Sequence, residues 1–337
     1  MRDYIIRRLL LMLPTLIGIT VVCFALTQFI PGGPVEEMIS RVRAASSEKG
    51  ADASHAITEE EIENIKAYYG FDRPAHIRYL RWLGKVIRLD LGISYSYEEP
   101  VWDVIVSKFP ISLFFGFSSF ILSYLVCIPL GMLKAVKNRS PFDTLSSVIV
   151  FIGYVMPGYA LGILLITFLG GGSFLDWFPI SGIVSDHFES MTFWGKVTDF
   201  IHHMILPLIC YMAGEFAFLT MLMKNSLLDE IKKDYMRTAM VKGSTFERAV
   251  WKHAFRNSLI PLATRLGEIF TIMFAGALLI EKVFDIDGMG LLVYNSMVSR
   301  DYNVVMGIIL LTSVMVLLGR LFSDILYVVV DPRIKFQ

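Results

Sequence analysis

The sequence predicts an all-α integral membrane protein with six transmembrane helices. Three observations carry this reading. Hydrophobic residues make up 55% of the 337-residue chain and charged residues only 18%, against about 45–50% and about 25% in soluble domains. The mean hydropathy is +0.58. The apolar residues also gather into stretches of about 20, the length that crosses a bilayer as a helix. Together these exclude a wholly soluble enzyme, a disordered chain and a secreted disulfide scaffold. Lys+Arg and Asp+Glu balance at 31 each, so net charge points to no class of partner, nucleic acid included. Cys23, Cys127 and Cys210 all lie in apolar runs without metal-like spacing and read as small buried side chains.

The six expected spans are 9–30, 111–133, 145–170, 204–223, 259–280 and 304–330. The first follows Arg2, Arg7 and Arg8 and could be taken for a secretory signal. Its apolar run is longer than a signal core and ends in Pro31-Gly32-Gly33-Pro34 rather than a small-residue cleavage site, so it reads as a retained helix. The second has no charged residue. The fifth carries Arg265 and Glu268, and the sixth carries Arg320 and Asp324.

Lysine and arginine set the orientation. Segment 224–258 holds eight and segment 134–144 holds three, whereas 171–203 holds only Lys196. Both termini and the two basic loops are therefore expected on the cytoplasmic side. The 31–110 region, long enough to escape the rule, is expected outside. It reads as a helical insertion: a capping box at Thr58–Glu61 with Ile62, Ile65 and Tyr69, then a second amphipathic helix with Ile77, Leu80, Leu83 and Ile87. The organisation is thus an N-terminal helix (1–30), the insertion (31–110), a five-helix core (111–330) and a cytoplasmic tail (331–337).

The basic loop 224–258 has internal structure. A helical pattern ends at Gly243, a residue suited to the left-handed position that closes a helix. Ser244 and Glu247 then form an expected capping box, and a second helix runs through Ala249, Val250 and His253 toward Pro261. The small residues Ala239 and Gly243 permit close approach of another surface. Arg237, Lys242, Arg248 and Arg256 form a basic rim. The pattern fits either a docking hairpin or a solvated basic loop.

Polar residues inside spans are costly and face a bundle interior, a cavity or the interface. Arg320 and Asp324 are expected to pair on one helix face. Arg265 and Glu268 read as a pair or as gate-lining residues. Glu215 has no obvious local partner and is a candidate for the translocation path, or for a contact to another helix or subunit. Gly153-Tyr154-Val155-Met156-Pro157-Gly158 should kink or unwind the third span, making Tyr154, Met156 and Pro157 either pathway wall or ordinary packing. His202-His203 lack further ligands, and no metal is expected. Trp102, Trp177 and Trp194 fit interfacial belts. No G-x-x-x-x-G-K-[ST] or H-E-x-x-H is present, and Gly116-Phe117-Ser118-Ser119 does not make a serine nucleophile site. From physics alone a stand-alone secondary transporter or channel also fits.

Residues Asp234-Tyr235-Met236-Arg237-Thr238-Ala239 with Lys242-Gly243, then His253-Ala254-Phe255-Arg256-Asn257 and Pro261, resemble the E-A-A loop of ABC importer permeases, in the version of the peptide/nickel branch. The chain departs from the general pattern: Arg237 and Thr238 replace Glu and Ala, His253 replaces Ile, and Phe255-Arg256 replace Leu-Pro. These departures are themselves typical of the peptide branch. The opening Tyr4–Leu10, Tyr69-Gly70-Phe71-Asp72-Arg73-Pro74, Asp90-Leu91-Gly92 and Asp331-Pro332-Arg333 are similar to B-type peptide permeases. Gly170-Gly171-Gly172-Ser173, Leu222-Met223-Lys224-Asn225-Ser226 and Ser299-Arg300-Asp301-Tyr302 resemble the Yej-type branch, an oligopeptide system also associated with microcin C uptake. The resemblance implies the MetI-like type I importer permease fold in a bacterial inner membrane. It implies a second, homologous permease chain, two ATPase domains (separate or fused) holding ATP and Mg, and a periplasmic peptide-binding protein. It implies no enzymatic activity and no cofactor on this chain. It makes Tyr235, Arg237, Ala239, Lys242, Gly243, Ser244, Glu247, Arg248, His253 and Arg256 the ATPase-coupling residues.

Overall fold

The structure, a computed structural model, describes residues 2–29, 63, 73–171, 174–269, 273 and 276–330. The expected 31–34 exit, the 331–337 tail and all of the first insertion helix except Glu63 lie outside these residues. The regular structure described is helical, apart from two isolated bridges, Ile93 to Pro100 and Gly170 to Phe178.

Four described helices are long and apolar enough to cross a membrane. They belong to α1 (Arg2–Phe29), α3 (Val101–Val136), α6 (Phe193–Ile231) and α13 (Tyr302–Val330). At 39 residues α6 runs about 58 Å, far beyond a hydrocarbon core of about 30 Å, so its ends stand in water. Its start is fixed by Thr192, whose hydroxyl accepts from the Gly195 N–H. The third expected span is two helices, α4 (Pro141–Val155) and α5 (Gly158–Leu169), bent by 103° at their junction and counting as a fifth crossing if taken together. Ser140 caps α4 and Pro141 opens it. The bend has a local cause: Met156, preceding Pro157, is extended at φ −83°, ψ 120°, as the proline ring demands of its predecessor.

The expected fifth span, 259–280, is not one long helix among the described residues. It contains a short helix α10 (Ile260–Ala263), a 3₁₀ turn (Leu266–Glu268) and Gly276 at φ +63° before α11 (Leu278–Phe284), which α12 (Met289–Val298) follows. Pro261, Gly267 and Gly276 interrupt it. At Gly267 a side chain would collide with Ser323 and with the Gly319 carbonyl of α13.

The chain forms two compact units. One comprises Met1–Ile5, Pro110–Leu291 and Met315–Gln337 and holds both candidate sites. Its outer core gathers Phe115, Met204, Leu206, Cys210, Phe284 and Ile286. The other comprises Ile6–Phe109 and Leu292–Val314. There α2 (Ala75–Val86) leans on α1 through Tyr79, whose hydroxyl lies 3.0 Å from Thr20 Oγ1 and whose ring meets Phe24. The expected apolar face is not what this helix buries: Ile77, Leu80 and Ile87 are exposed. In the same unit fully buried Asp301 accepts from the Ser94 hydroxyl at 2.5 Å and the Ser96 N–H at 3.0 Å. Asn303 donates to the Ile93 carbonyl beside Gly92. Segments 93–96 and 299–303, far apart in sequence, are thereby clasped together.

Candidate coupling hairpin and membrane-embedded site

The basic loop is a helical hairpin. Its first helix, α7 (Asp234–Val241), ends at Gly243, which is left-handed at φ +90°. Nothing lies within 4 Å of where a Gly243 side chain would project, so the glycine serves the turn conformation rather than internal packing. The cap of the next helix sits one residue later than expected. Thr245, not Ser244, accepts from the Arg248 N–H at 3.3 Å and opens α8 (Phe246–Ala249). A π turn (Val250–Ala254) follows, and α9 (Phe255–Ser258) continues toward α10. The π turn carries His253, which is half-buried.

The rear of the hairpin is bolted to the long helices. Met236, Ala249, Val250 and Ala254 share one buried cluster with Met132 and Ala135 of α3 and with Met223 and Leu227 of α6. Ala239 packs against this cluster. A polar tie reinforces it. Glu230, at the end of α6, accepts from Lys233 Nζ at 2.6 Å and from the Tyr235 hydroxyl at 2.5 Å, and Asn257 of α9 reaches the same hydroxyl at 3.4 Å. Burial, with Glu230 adding, pushes the Tyr235 phenol up to about 12, so it keeps its proton at any physiological pH. The front is open: Arg237, Lys242, Glu247, Arg248 and Arg256 are exposed, and so are Val241, Phe246 and Trp251. Apolar and basic side chains thus share the exposed front of the hairpin.

The membrane-embedded candidates fall into two places. Tyr154, Met156 and Pro157 form the elbow between α4 and α5, with Tyr154 and Pro157 exposed and Met156 half-buried. Met156 ends a surface groove of about 750 Å³ that follows α4 from Asp143 through Ser147 and Phe151. Glu215, near the middle of α6, does have a partner: Arg265 Nη2 lies 3.5 Å from its carboxylate, and the guanidinium stacks 4.1 Å over Phe218. Arg265 thus reaches across to α6. The side chain of Glu268 lies outside the described residues. The expected Arg320–Asp324 pair is not among the described contacts: Arg320 is exposed, and Asp324 accepts from the Tyr4 hydroxyl at 2.9 Å. Packing turns the carboxylate toward the start of α1. His202 meets the Trp177 carbonyl and His203 meets Asp199, and the described residues hold no cluster fit for a metal ion.

Two charged sites escaped the sequence reading. Asp143 of α4 lies between Lys134 of α3 at 3.2 Å and Lys224 of α6 at 2.8 Å. Lys134 is fully buried and also donates to Ser146, Ser147 and the Asp143 carbonyl. The signal was present, since Ser140-Pro141 opens a helix with Asp143 in its first turn, but both lysines were read as loop charges. Glu281 is fully buried too, and accepts from Ser112, Tyr211 and the N–H groups of Ala277 and Leu291. The expected fifth span ends at residue 280, one short of Glu281, so its burial is not anticipated.

Residues 127–336 match the family described as binding-protein-dependent transport system inner membrane component. The whole chain is 41% identical to the peptidoglycan transport system permease protein YejB of Agrobacterium fabrum, covering 99% of that protein. It is also 41% identical to the inner membrane ABC transporter permease protein YejB of Escherichia coli O157:H7, covering all of it. Identity to the dipeptide transport system permease protein DppB of E. coli K12 is 35%, again over both full lengths. The match begins at Cys127, within α3, and runs past the end of α13, including the hairpin, and no nucleotide-binding motif occurs anywhere in the chain. The chain belongs to the binding-protein-dependent transport system inner membrane component family and is a multi-pass permease subunit without catalytic machinery of its own.

Proposed function

We propose that this chain is one of two membrane-spanning halves of an ATP-driven peptide importer in a bacterial inner membrane. A second, homologous permease completes the pathway, and a periplasmic binding protein delivers peptide. Two ATPase domains beneath the membrane bind ATP and Mg. Six spans, with both termini cytoplasmic, agree with the positive-inside pattern and require 259–280 to cross as an interrupted segment. Relatives named for dipeptide and for peptidoglycan transport support cargo that contains a peptide chain.

The observation that carries the reading is the hairpin at 233–256. Its rear is buried against α3 and α6 while its apolar and basic front is exposed. Closure of the ATPase pair beneath it is thus passed to the two longest helices. Tyr235, Ala239 and His253 hold the hairpin; Arg237, Lys242, Ser244, Glu247, Arg248 and Arg256 meet the ATPase groove; Gly243 sets the turn. Tyr154, Met156, Pro157, Glu215 and Glu268 belong to the pathway.

The test is made on the complete genomic cluster. Tagging this chain should recover a second permease and a Walker-type ATPase in mild detergent. Gly243→Val forces a β-branched residue into a left-handed position. It should abolish uptake at normal membrane levels and remove stimulation of ATP hydrolysis by loaded binding protein. Full uptake by that variant rejects the coupling role. A particle of this chain alone that moves solute without ATP establishes a secondary transporter instead.

A further inference from the structure

Beside Glu215 the unit holds a small pocket whose mostly apolar wall carries three polar side-chain groups that can accept. Ser119, Phe120, Ser123 and Tyr124 of α3 line one side; Tyr211, Glu215 and Leu219 of α6 line the other. Its volume is about 20 Å³, room for one water-sized group. Ser119 and Ser123 are both only 3% exposed. Ser119 donates to its own helix at the Gly116 carbonyl, which leaves its oxygen lone pairs to accept. The Ser123 hydroxyl lines the pocket as a second oxygen able to accept. Tyr124 donates to the Leu262 carbonyl and Tyr211 to Glu281, so their rings, not their hydroxyls, are the surfaces available here. The Phe120 and Tyr124 rings lie 4.5 Å apart.

We infer that this pocket binds a primary ammonium group of the passing peptide, an inference that rests on the peptide-importer reading above. An ammonium has three N–H donors and no acceptor, and the wall offers three acceptors: the Glu215 carboxylate and the two serine oxygens. It is close to water in size. Aromatic faces attract a cation in a desolvated setting. The carboxylate is within reach because its side chain is 44% exposed, with Arg265 Nη2 standing 3.5 Å from it. Arg265 also explains release. An ammonium shares Glu215 with the guanidinium rather than owning it, and a site on a transport path must let its ligand leave. The ammonium can be the α-amino group of the peptide or a lysine side chain.

The experiment uses cells lacking other peptide permeases and carrying the whole cluster. Uptake is measured for a free-amino tri-alanine, its N-acetyl form, and an N-acetyl peptide with one lysine. Each variant is compared with wild type for the same peptide, so selection by the binding protein cancels. Glu215→Gln should lower uptake of the free-amino peptide about ten-fold more than it lowers uptake of the N-acetyl peptide, the difference expected for one charge-assisted contact. Ser123→Ala should lower the free-amino peptide about three-fold and spare the other. If Glu215→Gln fails to reach the membrane, Ser123→Ala decides alone. Sensitivity of the N-acetyl lysine peptide assigns the site to any ammonium; insensitivity assigns it to the α-amino group. Equal loss for all three peptides would mean a purely structural Glu215–Arg265 tie and overturns the inference. No loss for any would mean a pocket for a water molecule only and overturns it as well. Wild-type cells that take up no peptide instead sink the importer reading itself.

Discussion

Lys134 is a charged residue with no exposed surface, and it survives because four oxygens surround it. A buried charge is tolerated only when paired and hydrogen-bonded. Asp143 meets that need for two lysines at once, tying α3, α4 and α6 at one point. Removing it leaves two cations without their counter-ion. Asp143→Ala should therefore destabilise the unit by about 3–5 kcal/mol, read as a lower unfolding temperature of the purified complex. Asp143→Asn should fall between that variant and wild type. An unchanged temperature for Asp143→Ala would show the lysines solvated and the cluster unimportant. Glu281 follows the same logic with different partners. Four neutral donors hold it, and Gly276 and Gly288 lie so close that any side chain there would strike its carboxylate oxygens.

At the scale of elements, the hairpin and the α4–α5 elbow each turn one sequence signal into a shape. Gly243 and Thr245 together set the angle at which α8 leaves the turn. Thr245→Ala loses the cap and should cost about 1 kcal/mol. Its effect should be loosened coupling rather than unfolding: lower uptake per ATP hydrolysed, at normal membrane levels. An unaltered ratio would mean the buried rear of the hairpin alone holds its angle. At the elbow, Pro157 ends one helix and Gly158 starts the next. A side chain at Gly158 would press on the Cys210 carbonyl of α6, and one at Gly162 on Phe284. The two glycines are what lets α5 lie against α6 after the bend.

For the whole molecule, the distribution of charge and the helices agree on a multi-pass chain. The number of crossings depends on 259–280, where a proline and two glycines interrupt the apolar run. Reporter fusions decide it. Reporters at both termini should be active only in the cytoplasm, and one inserted near Asp186 should be active only outside. Termini on opposite sides would mean an odd number of spans and would reject six. In the second unit, the Ser94–Asp301 clasp joins the end of the insertion to the start of α13. That contact gives the 299–302 motif a structural purpose, and Asn303 packs beside Gly92 of the 90–92 motif.

Membrane class, the spans of α1, α3, α6 and α13, the kink at Pro157 and the turn at Gly243 were all determined by the sequence alone. Each is a local property: apolar length, the backbone restriction of proline, the freedom of glycine. The family is likewise legible, because the hairpin motif is a contiguous run. Pairings across helices were decided only by tertiary structure. Glu215 meets Arg265, Asp324 meets Tyr4, and Asp143 meets Lys134 and Lys224, at separations that no periodicity encodes. The same holds for the cap at Thr245 in place of Ser244, where the turn's exact register chose between adjacent hydroxyls. Charges in a membrane protein find partners in three dimensions because leaving them unpaired is costly, and the helix packing that brings those partners within reach is not written in any one segment.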